Sequence, residues 1–253
     1  MSRYAASNSV KNMGLALVIL AAGVIAAFAH VVLDAESATE YLAVIGQAYQ
    51  QTKSGKTEVE RLNAIYDVGV RSYQLTALMN QDFQEHGASD PKLIGLILRR
   101  LAQYGVKIAK VETGYSYDFA AIYEYLRLAP NGERGAAAQL VLIRYMDVPD
   151  DVEQLQKAIA RASQFLRSYP KHGSVASVEL ELAVYHLRLS RLLRVGDLLP
   201  GPASSGTSAQ HQKEAAELFQ KIVTRYPDSD EAREAQQHLA SLTPRPGTQK
   251  KPK

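Results

Sequence analysis

The amino-acid sequence predicts an all-α protein in which stacked helix-turn-helix repeats follow an N-terminal apolar helix. Three observations lead to this fold class: a long apolar run near the N-terminus interrupted only by His30, apolar residues at three- and four-residue spacing, and three segments that align on a proline. Apolar residues at that spacing form one face of a helix, whereas a half-buried strand alternates at every second residue. No such alternation is sustained, so we expect helices throughout.

The apolar run covers residues 13–33, which read MGLALVILAAGVIAAFAHVVL. As a helix it is long enough to cross the roughly 30 Å hydrocarbon core of a bilayer. Arg3 and Lys11 precede the run, and the next basic residue after it is Lys53. Because positive charges stay on the cytoplasmic side, residues 1–12 are expected in the cytoplasm and the body of the chain across the membrane.

Two interpretations of this segment remain open. It is an uncleaved signal anchor, which predicts a single-pass protein of a bacterial inner membrane with a periplasmic body. Alternatively, it is a signal peptide cleaved after Ala29, where Ala27 and Ala29 form a small-x-small site, and the body is then secreted to the periplasm. We favour the anchor, because the apolar region of a signal peptide is usually shorter and residues 31–33 continue the run.

Residues 36–112 are predicted to be a helical region without a clear repeat. Asp90 and Pro91 mark a helix start, since Asp caps the first turn and Pro lacks only an N–H that needs no partner there. One broad apolar face is expected in the helix before them, formed by Leu62, Ile65, Tyr66, Gly69, Tyr73, Leu78 and Met79.

Three segments in residues 113–242 align on Pro130, Pro170 and Pro227. The first two prolines are 40 residues apart and the last two are 57 apart, because a flexible Pro-, Gly- and Ser-rich loop at 195–210 adds length. A proline disfavours helical geometry in the preceding residue, so a helix ends before each one and a second helix follows a short turn. One such pair cannot bury its apolar face alone, so the pairs are expected to stack.

The repeat resembles the tetratricopeptide (TPR) family, in which a small residue lies twelve positions before the closing proline and an aromatic residue eight positions before it. Ala215 and Phe219 match both positions relative to Pro227. Ala158 matches the small position of the second segment, where Ala162 replaces the aromatic residue.

The first segment departs from that pattern, with Asp118 at the small position and Ile122 at the aromatic one. Residues 225–229, RYPDS, are similar to a variant common in TPR proteins of the bacterial envelope, such as the outer-membrane β-barrel assembly lipoprotein and the periplasmic cell-division coordinator. The resemblance implies a scaffold whose groove is formed by the helices after the prolines. It therefore implies five partner-binding residues: Gln139, Arg144, Glu179, Arg188 and Gln236.

Composition excludes several functions. The net charge is +3, and four of the positive charges lie in the last ten residues, so the body is close to neutral and nucleic-acid binding is not expected. Residues 243–253 are predicted to be a disordered basic tail. The sequence contains no cysteine, which excludes disulfides, cysteine-based zinc sites and a lipid-modified cysteine.

No catalytic or metal-binding motif is found in the sequence. None of the six histidines lies four residues from another, so no helix carries a two-histidine metal face, and Glu234 with His238 is interpreted as a surface pair. A Gly-x-Ser-x-Gly nucleophile turn is absent. We therefore predict a protein that is not an enzyme and needs no cofactor, metal or small-molecule substrate.

Three functions remain. The first is a membrane-anchored, extracytoplasmic TPR-like scaffold that binds envelope or membrane proteins during envelope assembly or maintenance. The second is a structural subunit of a larger membrane complex. The third is an enzyme whose site is assembled between helices, which no local motif supports.

Overall fold

The computed structural model of the protein describes residues 33–86, 90–146, 148–196 and 207–242. Within these ranges the chain forms nine helices and one short antiparallel hairpin, so the predicted all-α fold class with TPR-like helix pairs is confirmed. The chain divides into two compact units, Met1–Ala138 and Gln139–Lys253.

Two predicted segments lie outside the described residues: the apolar run at 13–33, apart from Leu33, and the basic tail at 243–253. A search of the described ranges finds no helix that combines the length and the apolar character needed to span a bilayer. The anchor and the tail therefore stay predictions.

The first unit contains four helices and the hairpin, which follow one another along the chain. They are α1 (Ala35–Ser54), α2 (Glu58–His86), α3 (Pro91–Gln103), β1 (Ile108–Val111), β2 (Gly114–Tyr117) and α4 (Ala120–Leu128). Helix α2 is central, because α1, α4 and the hairpin all pack against it.

Local side-chain contacts start these helices. Asp34 accepts a hydrogen bond from the backbone N–H of Ser37 at 2.8 Å, and Ser37 Oγ accepts one from the N–H of Asp34 at 3.1 Å. This reciprocal pair is a capping box at the start of α1. Asp90 caps α3 through the N–H of Lys92, with Pro91 in the first turn, as the sequence predicts.

The core of the first unit includes a close approach of two helices. A Cβ atom added to Gly69 of α2 would lie 2.6 Å from Cδ1 of Ile122 in α4, so only glycine fits there. Ile122 and Tyr125 of α4 are almost completely buried, and so are Leu75 and Met79 of α2.

The hairpin corrects the predicted helical region. Helix α3 ends at Gln103, and residues 108–117 form two paired strands in place of the expected helix and repeat start. Asn80 of α2 holds β2 in place, because its Nδ2 donates to the carbonyl of Tyr115 at 2.8 Å and its Oδ1 accepts from the N–H of Tyr115 at 2.6 Å. These strands have four residues each, too short to produce a sustained alternation.

The second unit contains most of the helix after Pro130 and the helices on either side of Pro170 and Pro227. They are α5 (Gly135–Tyr145), α6 (Val152–Ser168), α7 (Val175–Gly196), α8 (Ser208–Arg225) and α9 (Asp230–Leu242). Helix α7 packs against both α6 and α8, and α9 packs against α8. The boundary between the units falls inside α5.

The three proline turns have nearly the same geometry. The residue before each proline has φ between −131° and −140° and ψ between 52° and 65°, which is outside the helical region. In each turn its N–H donates to the carbonyl four residues earlier at 2.8 or 2.9 Å, and its carbonyl accepts from the N–H three residues later at 3.0 Å. The weakest sequence match, at Pro130, therefore has the same turn as the others.

Corresponding helix positions are buried in each repeat. Eight residues before the proline lie Ile122, Ala162 and Phe219, and each is completely buried. The small position is filled by Ala158 and Ala215 in the last two repeats, both buried. Asp118 is exposed and precedes α4, which explains why the first repeat lacks a small residue there.

Helices enter both ends of the predicted loop at 195–210. Helix α7 continues through Gly196, and Thr207 caps α8 by accepting a hydrogen bond from the N–H of Gln210 at 3.1 Å. Residues 197–206 lie outside the described part of the chain.

Candidate partner-binding face

Helix α7 is buried on most sides, because α6 and α8 flank it. Between Ser177 and Arg188 most of its residues are buried, and the partly exposed ones recur at four- and three-residue steps. Positions at this spacing lie above one another on one side of a helix. This single accessible row, here called the α7 stripe, consists of Ser177, Glu181, Val184 and Arg188.

The α7 stripe is charged and is flanked by charges from two other helices. Burial, together with the nearby carboxylate of Glu234 in α9, raises the pKa of Glu181, while Arg144 of α5 and Arg188 lower it. Charges on α5, α7 and α9 therefore all act on Glu181. These are the three helices that follow the prolines, as expected for a groove in a TPR-like stack.

Hydrogen bonds hold the arginines at this face. Arg144 Nη2 donates to Ser177 Oγ at 2.6 Å, which joins α5 to the first residue of the α7 stripe. Arg188 forms an ion pair with Asp150, with 2.8 Å between Nη2 and Oδ1, and donates to the carbonyl of Val148. Both side chains are oriented by neighbouring residues and remain partly exposed.

Tyr185 fixes α7 against α5 from the buried side of the same region. Its hydroxyl donates to the carbonyl of Ile143 at 2.8 Å, and burial raises the pKa of this phenol to about 12. A buried hydrogen bond of this kind makes the position of α7 relative to α5 specific.

The structure separates the five residues that the resemblance implies as partner-binding. Arg144 and Arg188 lie at the α7 stripe, and Gln236 is exposed on α9. Gln139 and Glu179, in contrast, are buried, with 7% and 2% of their surfaces exposed. Because buried side chains cannot contact a partner, the binding hypothesis retains only Arg144, Arg188 and Gln236.

Glu179 has a structural contact instead. Its Oε1 lies 2.7 Å from Nζ of Lys221 and 3.7 Å from Nη1 of Arg225, both on α8. These ion pairs join α7 to α8, the same two helices that the loop at 197–206 connects.

Sequence reasoning missed Glu181 and Val184, the central residues of the α7 stripe. The signal that could have found them is the burial pattern of α7, which depends on the packing of α6 and α8 and is not visible in the residue types alone. A helix that is flanked by two neighbouring helices has one row of side chains that neither neighbour covers. The position of the helix in the repeat then shows which side of the stack that row faces.

A second cluster joins α7 to α8 on another side of α7. The Nδ1 atoms of His186 and His211 are 2.9 Å apart, and Oε2 of Glu214 lies 2.9 Å from the first and 3.2 Å from the second. Both histidines have 9% of their surface exposed. The expectation of no two-histidine metal face considered one helix at a time, and these two histidines come from two helices.

Comparison with known families agrees with the repeats. A family model described as YfiO, outer membrane lipoprotein, matches residues 120–245, which begin at the first residue of α4 and include all three proline turns. No curated protein matches the chain. This part of the chain is therefore similar to a TPR-like family of the bacterial envelope, and the predicted resemblance is confirmed at that level.

Proposed function

We propose that this protein is a membrane-anchored, TPR-like scaffold whose body lies outside the cytoplasm and binds a partner protein in the bacterial envelope. The observation that carries the proposal is the α7 stripe, a row of partly exposed polar, charged and apolar side chains on a stretch of α7, residues 177–188, that is otherwise buried. Repeat proteins of this kind use the inner helices of the stack as an extended binding surface.

The proposed anchor is the apolar run at 13–33. The matching family is described as a lipoprotein, but this sequence contains no cysteine that could carry a lipid. A membrane-spanning helix would serve the same purpose, and the basic residues before the run favour a cytoplasmic N-terminus.

The proposed partner carries charges that complement the face. Arg144 and Arg188 can pair with acidic side chains, while Glu181 and Glu234 can pair with basic ones, so the partner segment is expected to carry both signs. Such an arrangement favours specificity over affinity, because a wrong register brings like charges together.

Affinity capture after chemical crosslinking in intact membranes tests the proposal, with the full chain as bait. Arg188→Ala removes one charge from the α7 stripe, and Arg61→Ala is its matched control, because Arg61 also donates to a loop carbonyl, that of Gly55 at 2.9 Å. We expect one defined partner, recovered at least about tenfold less with Arg188→Ala and unchanged with Arg61→Ala.

The proposal is wrong if the recovered proteins are the same for both variants, or if nothing specific is captured from membranes. Thermal melting of each variant shows whether the fold is intact. A bait that crosslinks equally through every exposed surface would favour the structural-subunit interpretation.

A further inference from the structure

The cluster of His186, His211 and Glu214 has a geometry that the scaffold function does not require. Three atoms with lone pairs, two Nδ1 nitrogens and one carboxylate oxygen, lie within 4.8 Å of one another. Their closest separations are 2.9, 2.9 and 3.2 Å. Three such atoms repel one another unless a proton or a cation lies between them.

These separations fit a transition-metal ion. The point equidistant from the three atoms in their plane is about 1.7 Å from each, so an ion at the usual Zn–N distance of about 2.1 Å would lie roughly 1.2 Å above that plane. In a tetrahedral site with three protein ligands and one open position the ligand atoms are about 3.4 Å apart, so the three side chains must separate by roughly 0.2–0.5 Å to hold the ion.

The residue types select the class of ion. Two imidazoles and one carboxylate suit Zn²⁺, whereas Ca²⁺ and Mg²⁺ prefer oxygen ligands. A neutral imidazole binds such an ion through the lone pair of one ring nitrogen, and the cluster offers two imidazoles.

The surroundings leave room for a fourth ligand. His186 and Glu214 line an open pocket of about 310 Å³ together with Glu217, Leu218 and Lys221. A pocket of that size holds water molecules beside the cluster.

We propose that this protein binds one Zn²⁺ ion through Nδ1 of His186, Nδ1 of His211 and Oε2 of Glu214, with water as the fourth ligand. The ion takes the place of a proton between the three atoms, and that proton is released to solvent. It ties α7 to α8, because His186 belongs to one helix and the other two ligands belong to the next. The site is independent of the α7 stripe and of the proposed scaffold function.

Zn²⁺ titration of the full chain tests the site. The protein is purified in mild detergent through a tag that contains no histidine, stripped with a chelator, and titrated against a competing chromophoric chelator. We expect one high-affinity ion per chain and a higher melting temperature of the second unit when the ion is bound.

Two ligand variants and one control make the assignment specific. His211→Gln and Glu214→Gln each remove one ligand and should lower the affinity about 100-fold or more. His86→Gln is the matched control, since His86 forms an exposed pair with Asp82 at 3.1 Å and has no second histidine beside it; its affinity should equal that of the unchanged protein. Circular dichroism confirms that each variant is folded, and Glu214 is exposed enough to be replaced without loss of the core.

Substitution of Co²⁺ gives a readout that does not depend on stability. Tetrahedral Co²⁺ bound to nitrogen and oxygen ligands should produce an intense visible spectrum that both ligand variants lose. Absence of stoichiometric binding, or equal affinity in the ligand variants and the control, would overturn the proposal and leave a proton-bridged histidine pair.

Discussion

The two units of this protein are encoded in different ways. In the second unit, the same positions relative to each proline are filled by buried residues, and the turns repeat nearly angle for angle. In the first unit, single contacts between distant residues determine the arrangement, such as Asn80 with Tyr115 and Gly69 with Ile122. The helix pairs of the second unit can therefore be predicted from the local spacing of residues. The packing of the helices and the hairpin in the first unit cannot be predicted in this way.

The largest effect is expected at a repeated core position. Phe219→Ala should lower the free energy of unfolding of the second unit by about 3–5 kcal/mol, because the ring is completely buried between α8 and its neighbours. Leu218, the partly buried adjacent residue, is the control, and Leu218→Ala should cost less than half as much. Chemical denaturation measures both values. Similar losses for the two variants would contradict the repeat assignment.

A smaller effect is expected where Asn80 holds the hairpin against α2. Asn80→Ala removes two hydrogen bonds to the backbone of Tyr115 and should cost about 2 kcal/mol. Gln84→Ala is the control on the same helix, since its bond to the Thr113 carbonyl is long, at 3.4 Å, and exposed. Hydrogen exchange of the hairpin amides should become faster with Asn80→Ala only. Unchanged exchange would mean that the hairpin does not depend on Asn80.

Helix packing in the first unit predicts that replacing two helical glycines by alanine changes the stability in opposite directions. Gly69→Ala would place a methyl group 2.6 Å from Ile122 and should destabilise the unit by about 1–3 kcal/mol. At Gly95, the nearest atom to an added Cβ is Nη1 of Arg99 at 3.7 Å. Gly95→Ala should therefore stabilise α3 by about 0.5–1 kcal/mol, through helix propensity alone. Thermal melting reports both signs, and the same sign at both positions would contradict the close approach of α2 and α4.

The smallest effect concerns the α7 stripe. The raised pKa of Glu181 means that the folded chain holds this proton more tightly than the unfolded chain. The stability that protonated Glu181 contributes is fully present at a pH below the pKa of an ordinary carboxyl group. It is lost as the pH rises through the pKa of Glu181 in the folded chain. Glu181→Gln should therefore match the unchanged protein at low pH and melt about 1–2 °C higher at pH 7.

Melting curves from pH 3.5 to 7.5 measure this difference, and the exposed Glu112→Gln is the matched control. A lower melting temperature for Glu181→Gln at pH 7 would show that the pairing with Arg144 and Arg188 outweighs burial.

The contrast between the two units explains which parts of the molecule can be predicted from the sequence. The proline turns were predictable because proline restricts the preceding residue locally. The hairpin was not, because its strands have only four residues each and Asn80, which holds Tyr115, lies 35 residues away. For the same reason spacing alone missed the contact between His186 and His211, which are 25 residues apart on two helices.

The candidate face was predicted only in part. Repeat phase selected Arg144 and Arg188, which lie at the α7 stripe, because it identifies the inner helices; their role in binding stays a prediction. It also selected Gln139 and Glu179, because phase identifies a helix without fixing which of its sides the neighbouring helices cover. Burial on α7 depends on α6 and α8 together, and this information becomes available only after the helices are packed.

Site-specific photocrosslinking tests the central claim most directly. A photoreactive amino acid replaces Val184 in the α7 stripe or, as the control, Val59 of α2, which is 56% exposed in the first unit. The full chain is then irradiated in living cells. We predict one discrete crosslinked partner from position 184 and none from position 59. No product from position 184, or the same product from both positions, would contradict the account.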